Sequence, residues 1–240
     1  MWFINMELLM SEFQYKVIQN SPTPQKLVIF LHGYTSNVDD VLPYAETLLQ
    51  HLENAVIVVP EADMVSEKRP EKKQWYALID IDPEKLRRKP ETSIEDIIEI
   101  YNRAGPRISA VAKRINRFIS EMQRQYHISN HQTYIMGFSQ GAMIAIYAGL
   151  TRRYELGGIF PFAGIICGKD MLEKEQSTHP EVYLFHGTSD LSVQYKTLEF
   201  TKEWLKNHNV DWVAMEYDGV EHKLIADEMI DAADIINQSA

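Results

Sequence analysis

Gln132-Thr133-Tyr134-Ile135-Met136-Gly137-Phe138-Ser139-Gln140-Gly141-Ala142-Met143-Ile144-Ala145-Ile146-Tyr147-Ala148-Gly149-Leu150 joins two apolar runs, and Ser139 stands at the join with a glycine two residues away on either side. The first run, residues 132–138, suits a strand buried on both faces of a parallel sheet, and the second, residues 141–150, suits a helix. Gly137-Phe138-Ser139-Gln140-Gly141 fits Gly-x-Ser-x-Gly, a motif that acquires mechanical meaning between a strand and a helix. In so sharp a turn the serine backbone is strained. A side chain at either flanking position would collide with neighbouring backbone, and glycine at both removes the clash. The hydroxyl is then presented above the sheet at the positive end of a helix, where negative charge forming on an attacked carbonyl is favoured.

Outward from this turn, continuous apolar runs recur at residues 26–31, 55–60, 158–162, 181–186 and 211–217, and helical spacing at 41–52, 94–126, 193–207 and 223–236. Pro43 can sit only in the first turn of its helix, and Gly105-Pro106 should divide residues 94–126 into two pieces. Strands and helices therefore alternate, which predicts an α/β fold with a mostly parallel central sheet and helices on both faces. Residues 13–19 alternate polar and apolar ahead of Pro22 and Pro24 and predict an antiparallel edge strand. Residues 61–93 break the pattern. They are rich in Lys, Glu and Pro, and a long irregular segment of this kind is expected over the strand ends, with Trp75 either turned toward a substrate or anchoring a surface loop.

The 240 residues, 45 % of them hydrophobic, are enough for one domain with a substantial core, and no linker or repeat divides residues 1–240. With 24 Lys and Arg against 34 Asp and Glu the net charge is −10, which disfavours nucleic acid as a partner. The basic runs at Lys85, Arg87, Arg88 and Lys89, and at Arg103, Arg107, Lys113, Arg114 and Arg117, read as a solvated loop and a solvated helix face. Cys167 is the only cysteine, so no internal disulfide forms and a reducing cytoplasm is expected. The apolar start, Met1 to Met10, lacks a basic leader and a small-residue cleavage site and carries Glu7, which argues against a signal peptide. Met6 and Met10 are alternative starts. No apolar run reaches the roughly 20 residues that span a bilayer. Nothing indicates an oligomeric state.

A serine nucleophile needs a base, and on a fold of this kind the partners follow in the order serine, acid, histidine. Downstream of Ser139 and a plausible acid, only His208 and His222 remain. His208 ends an amphipathic helix and reads as solvated, whereas His222 follows the last strand, where catalytic loops gather. Asp190 closes the strand end Phe185-His186-Gly187-Thr188-Ser189 and is the expected acid; Asp170 and Asp218 are its rivals. The oxyanion hole is expected from the backbone N–H groups of Gln140 and of Tyr34 in His32-Gly33-Tyr34-Thr35. His32 and His186 read as structural, and Cys167 as a small buried hydrophobe. Gly164-Ile165-Ile166-Cys167-Gly168-Lys169 is one residue short of a phosphate loop, and no metal or nucleotide motif implies a cofactor.

With these residues in place the chain resembles the carboxylesterase and phospholipase family of the α/β-hydrolases that includes the acyl-protein thioesterases. The carriers are Phe30-Leu31-His32-Gly33, Gln74-Trp75-Tyr76, Gly137-Phe138-Ser139-Gln140-Gly141-Ala142, Leu184-Phe185-His186-Gly187 with Asp190, and His222. The resemblance implies a cofactor-independent acyl hydrolase whose substrate is a small or lipid-like acyl ester or an acylated protein. A peptidase or amidase on the same fold, and a non-catalytic binding protein, are the alternatives. Two departures stand out: Thr35 where the family usually has a second glycine, and Leu191-Ser192-Val193 where it has a proline shortly after the aspartate.

Overall fold

The computed structural model describes residues 11–239, so the expectations about the first ten residues lie outside the described residues. Seven strands form the main sheet: β1 (Tyr15–Gln19), β2 (Lys26–Leu31), β3 (Ala55–Pro60), β6 (Thr133–Phe138), β7 (Gly158–Phe162), β8 (Val182–Gly187) and β9 (Trp212–Tyr217). Two further short strands, β4 (Met64–Val65) and β5 (Lys73–Gln74), pair with each other outside it. The main sheet runs β1-β3-β2-β6-β7-β8-β9, parallel throughout except for β1, which lies antiparallel on β3 with Tyr15 opposite Pro60. The strand that leads into Ser139 is thus central, with Leu31 beside Gly137 on one side and Phe162 beside Phe138 on the other.

Strand β2 is buried from end to end, and its alternation feeds two cores. Leu27, Ile29 and Leu31 pack with Ile108, Ile115, Phe118 and Ile144 on one face, while Val28 and Phe30 pack with Val41, Leu48, Met229 and Ile236 on the other. The first layer is built on α2 (Ile94–Asn102), α3 (Gly105–Tyr126), α4 (Gln140–Leu150) and α6 (Thr197–Asn207), the second on α1 (Val38–His51) and α7 (Ala226–Gln238). A short α5 (Lys169–Glu175) follows β7. Among the described residues no helix is long and apolar enough to cross a membrane.

Several boundaries differ from the sequence expectation for local reasons. Helix α1 starts at Val38, because Asn37 caps it by accepting the Asp40 N–H, and Pro43 therefore lies inside the helix rather than in its first turn. Gly105-Pro106 marks the start of α3, as expected. Helix α6 starts only at Thr197, because the Ser192 and Val193 N–H groups are drawn to the Asp190 carboxylate instead of a helical ladder. Helix α7 starts at Ala226, where the Glu228 carboxylate accepts the Ile225 N–H at 3.0 Å.

Candidate active site

Because β6, β8 and β9 run parallel, the loops that leave their carboxyl ends share one edge of the sheet, the edge where ligands bind in open α/β sheets. Ser139 occupies the turn between β6 and α4 at φ 55° and ψ −113°, a conformation that costs a non-glycine residue about 1–3 kcal/mol. The flanking glycines make the turn possible. A Cβ on Gly137 would lie 2.4 Å from the Gly141 carbonyl, and one on Gly141 would lie 2.4 Å from Leu31 O and 2.6 Å from His32 O. The turn is further held by the Ser139 N–H, which donates to Phe162 O at 2.9 Å.

The three residues singled out by order along the chain meet in space. His222 Nε2 lies 3.0 Å from Ser139 Oγ, and His222 Nδ1 lies 2.7 Å from Asp190 Oδ2. An ionised carboxylate can only accept, so Nδ1 carries the ring proton and Nε2 is left to accept from the serine hydroxyl. Asp190 is buried, and burial works to raise its pKa. The hydrogen bonds from His186 and His222 outweigh that and bring it down to about 2. Its Oδ1 also accepts the Ser192 and Val193 N–H groups at 2.7 and 3.1 Å. Neither residue could be proline without the loss of a donor. The Phe138 ring covers His222 at 4.7 Å between centroids. Gly187 lets the loop that carries His222 come close, since a Cβ there would meet Val220 O at 2.2 Å.

The rivals are engaged elsewhere. His208 stacks on Trp204 and bonds its carbonyl at 2.7 Å; Asp170 is bonded to Asn102 and Lys169; Asp218 accepts from Thr188 Oγ1 at 3.2 Å. His32 accepts the Ala62 N–H on Nε2 at 3.1 Å and donates from Nδ1 to Gly33 O, and burial drives its pKa down to about 4. It is a neutral structural residue. His186 donates from Nε2 to Val193 O at 2.9 Å. Burial pushes the Cys167 thiol up to about 12, far from a thiolate nucleophile.

A narrow cleft opens beside Ser139, with a cavity volume of about 10 Å³, and its walls include Tyr34, Gln140, Met143, Tyr101, Ser192 and His222. Tyr34 and Gln140 thus both border the serine. Gln140 is the first residue of α4, where backbone N–H groups have no partner within the helix. Trp75 takes the second of its two expected places, as an anchor, and does not line the cleft. Its indole is buried, stacks on His32 at 4.9 Å, and donates from Nε1 to His32 O at 2.8 Å. The residue anchors the irregular segment to the loop after β2, because an indole N–H buried in the core must find an acceptor and His32 O supplies it. From that segment Leu78, Arg87 and Arg88 reach the cleft instead. Arg87 was expected in solvent but is only 4 % exposed, paired with the equally buried Asp82. Sequence spacing carried no signal of this pair beyond an aspartate five residues ahead of an arginine. Thr35, where a second glycine is usual, takes φ 56°.

Comparison with known proteins assigns the chain. The profile described as phospholipase/carboxylesterase matches residues 13–240. The chain belongs to the phospholipase/carboxylesterase family. The phospholipase/carboxylesterase match takes in Ser139, Asp190 and His222 alike. Acyl-protein thioesterase 1 of Kluyveromyces lactis is 28 % identical over 140 residues, which cover 55 % of this chain and 60 % of that protein. Acyl-protein thioesterase 1 of Saccharomyces cerevisiae is 27 % identical over 119 residues, 47 % of this chain and 52 % of that protein. The chain therefore spans little more than half the length of these relatives. Among solved structures, esterase PE8 superposes with a TM-score of 0.76 at 24 % identity, covering 93 % of this chain and 97 % of that one. Arabidopsis thaliana SOBER1 superposes with a TM-score of 0.73 at 18 % identity over 89 % of this chain and 98 % of that one. The fold is that of the α/β-hydrolases.

Proposed function

We propose that this protein is a serine hydrolase that cleaves carboxylic esters or thioesters through an acyl-enzyme, with Ser139 as nucleophile, His222 as base and Asp190 as the acid that orients it. The observation that carries the reading is the continuous chain from Asp190 Oδ2 through His222 to Ser139 Oγ, at 2.7 and 3.0 Å. As Oγ bonds to the substrate carbonyl carbon, His222 Nε2 takes the hydroxyl proton. The imidazolium is stabilised by the carboxylate behind it. The oxyanion is received by the Gln140 and Tyr34 N–H groups. His222 then protonates the leaving alcohol or thiol, and a water deprotonated by the same nitrogen attacks the acyl-enzyme to release the acid.

The cleft volume of about 10 Å³ is room for about one water molecule and sets no acyl chain length. Acylated proteins remain candidate substrates through the similarity to acyl-protein thioesterases, and a cytoplasmic setting is part of the same proposal. The test is hydrolysis of 4-nitrophenyl esters graded in chain length, by wild type and Ser139→Ala. The variant should lose on the order of 10⁴-fold or more in kcat, and fluorophosphonate labelling should vanish with it. A variant that keeps most of the wild-type rate removes Ser139 from the mechanism. A peptide or amide substrate that outcompetes every ester would move the protein to the amidase reading.

A further inference from the structure

The chain is acidic as a whole, at −10, yet the wall of the cleft beside Ser139 is basic. Arg87 and Arg88 both line it. Lys68 does not line the cleft itself, but its ammonium lies 5.2 Å from the ring of Tyr34, which does. Two anions stand nearby: Asp82 offsets Arg87, while Glu67 keeps its charge close to Lys68. Asp82 holds the Arg87 guanidinium and accepts the Leu86 N–H. Glu67 accepts from Tyr34 Oη, the Leu78 N–H and the Ile79 N–H. Among the described residues neither Arg88 nor Lys68 forms a salt bridge. The like charges act on one another: burial lowers the Lys68 pKa, and the charges on Arg88, Arg87 and Lys85 lower it further.

The position of Arg88 is built. The side-chain amide of Gln194, itself 4 % exposed, donates to Arg87 O at 2.8 Å and to Lys89 O at 2.9 Å, so the backbone on both sides of Arg88 is held. Gln194 follows directly on Ser192 and Val193, which bind the Asp190 carboxylate and line the cleft. One clamp therefore fixes Arg88 relative to the Asp190 loop. A side chain placed only to keep a loop soluble has no need of such a clamp.

We propose that the substrate carries an anionic group, a carboxylate or a phosphate, close to the scissile acyl bond, and that Arg88, supported by Lys68, is its specificity-determining site. The inference rests on the ester-hydrolase reading and names its substrate class. The anion would accept charge-assisted hydrogen bonds from the guanidinium, and the basic rim of an acidic protein would steer it inward.

The experiment compares kcat/KM in matched pairs. One pair places the charge on the acyl side, mono-4-nitrophenyl glutarate against 4-nitrophenyl pentanoate. The other places it on the leaving group, acetylglycerol phosphate against acetylglycerol. Preference for the anion in one pair, by about tenfold at low salt, is expected, and the pair that shows it identifies the source. That ratio should shrink as salt rises, survive in Arg88→Lys, vanish in Arg88→Gln and invert in Arg88→Glu. Arg88 is exposed, so these variants fold. Ser139-dependent hydrolysis with no anion preference in either pair, or a preference that Arg88→Glu does not change, overturns the proposal and leaves the hydrolase standing. No Ser139-dependent hydrolysis of any ester overturns both.

Discussion

Gly187→Ala tests whether the His222 loop is held where chemistry needs it. The added Cβ would lie 2.2 Å from Val220 O and 2.8 Å from Val220 C. A carbon approaches a carbonyl oxygen no closer than about 3.3 Å, so Val220 must retreat by about 1 Å. Val220 lies two residues before His222, whose Nε2 is 3.0 Å from Ser139 Oγ, and the Ser189 N–H that donates to Val220 O at 3.0 Å would be stretched too. A misplacement of about 1 Å costs roughly 10²-fold in rate, about 2.7 kcal/mol of barrier. Overpacking costs about 1–3 kcal/mol of stability, which leaves a folded protein to assay. The assay is kcat/KM on a short 4-nitrophenyl ester, with the rate of fluorophosphonate labelling as a readout of serine activation and a thermal melt as the check of folding. Gly219→Ala is the control. It sits in the same loop at φ +68° with no atom within 4 Å of the new Cβ, so it adds backbone strain of about 1–2 kcal/mol without pushing the loop. It should melt lower and keep its rate. A folded Gly187→Ala with wild-type turnover, or an equal loss of turnover in both variants, refutes the argument that close packing of Gly187 on Val220 positions the base.

Asp190→Asn should keep the fold, because the amide oxygen can still accept from the Ser192 and Val193 N–H groups. Its NH₂ would face His222 Nδ1, force the proton onto Nε2 and lower kcat by about 10⁴-fold; near-normal kcat would refute the acid assignment. Thr35→Gly should raise the melting temperature by about 2–4 °C, because relief of a β-branched residue at φ 56° outweighs the unfolded-state entropy of glycine by about 1 kcal/mol. An unchanged or lower melt would show that the Thr35 side chain compensates its strain. Burial lifts the Glu228 pKa from 4.5 to about 7. The native state then holds more protons than the unfolded state between those values, and stability falls as pH rises through that window. Glu228→Gln keeps an acceptor for the Ile225 N–H and should gain about 3 kcal/mol over wild type near pH 8, with no gain below pH 4.5. Urea titrations across that range decide it, and parallel curves would refute the shift.

What could be read along the chain depended on whether its cause was local. The buried runs at residues 26–31 and 55–60, and the glycines about Ser139, act over a few residues, so strands, sheet type and nucleophile turn were legible. Asp190 and His222 were singled out by their order and by the strand ends before them, which stand in for the tertiary contact that brings them beside Ser139. The starts of α6 and α7 were misplaced because they are set by single carboxylates, Asp190 and Glu228, that capture backbone N–H groups. The partners of Trp75 and Arg87 were hidden for a related reason. Both carry a polar group that a sequence reader assigns to solvent or substrate, and both bury it against a specific acceptor, His32 O and Asp82. No periodicity records such a pairing. The residues 61–93 were recognisable as an irregular segment over the strand ends, but which of its side chains reach the cleft was not, since their placement comes from contacts with Gln140 and Gln194, more than sixty residues away in the chain.

Those contacts make the nucleophile and the cleft wall one mechanical unit. Gln140 begins the helix behind Ser139, and its side chain accepts the Trp75 N–H at 2.9 Å and donates to Tyr76 O at 2.8 Å. Lys73 meanwhile exchanges backbone hydrogen bonds with Ser36, one residue beyond Thr35 in the loop that carries Tyr34. The irregular segment is therefore tied at one point to the residue after Ser139 and at another to the loop that carries Tyr34. Its far end, at Arg87 and Lys89, is tied through Gln194 to the loop of the acid. A segment so connected cannot swing as a free lid without breaking buried hydrogen bonds, each of which is costly to leave unmade. Rearrangement for larger substrates has to come from the side chains that reach the cleft without such ties, Leu78 and Arg88, while the backbone around Ser139 stays in place.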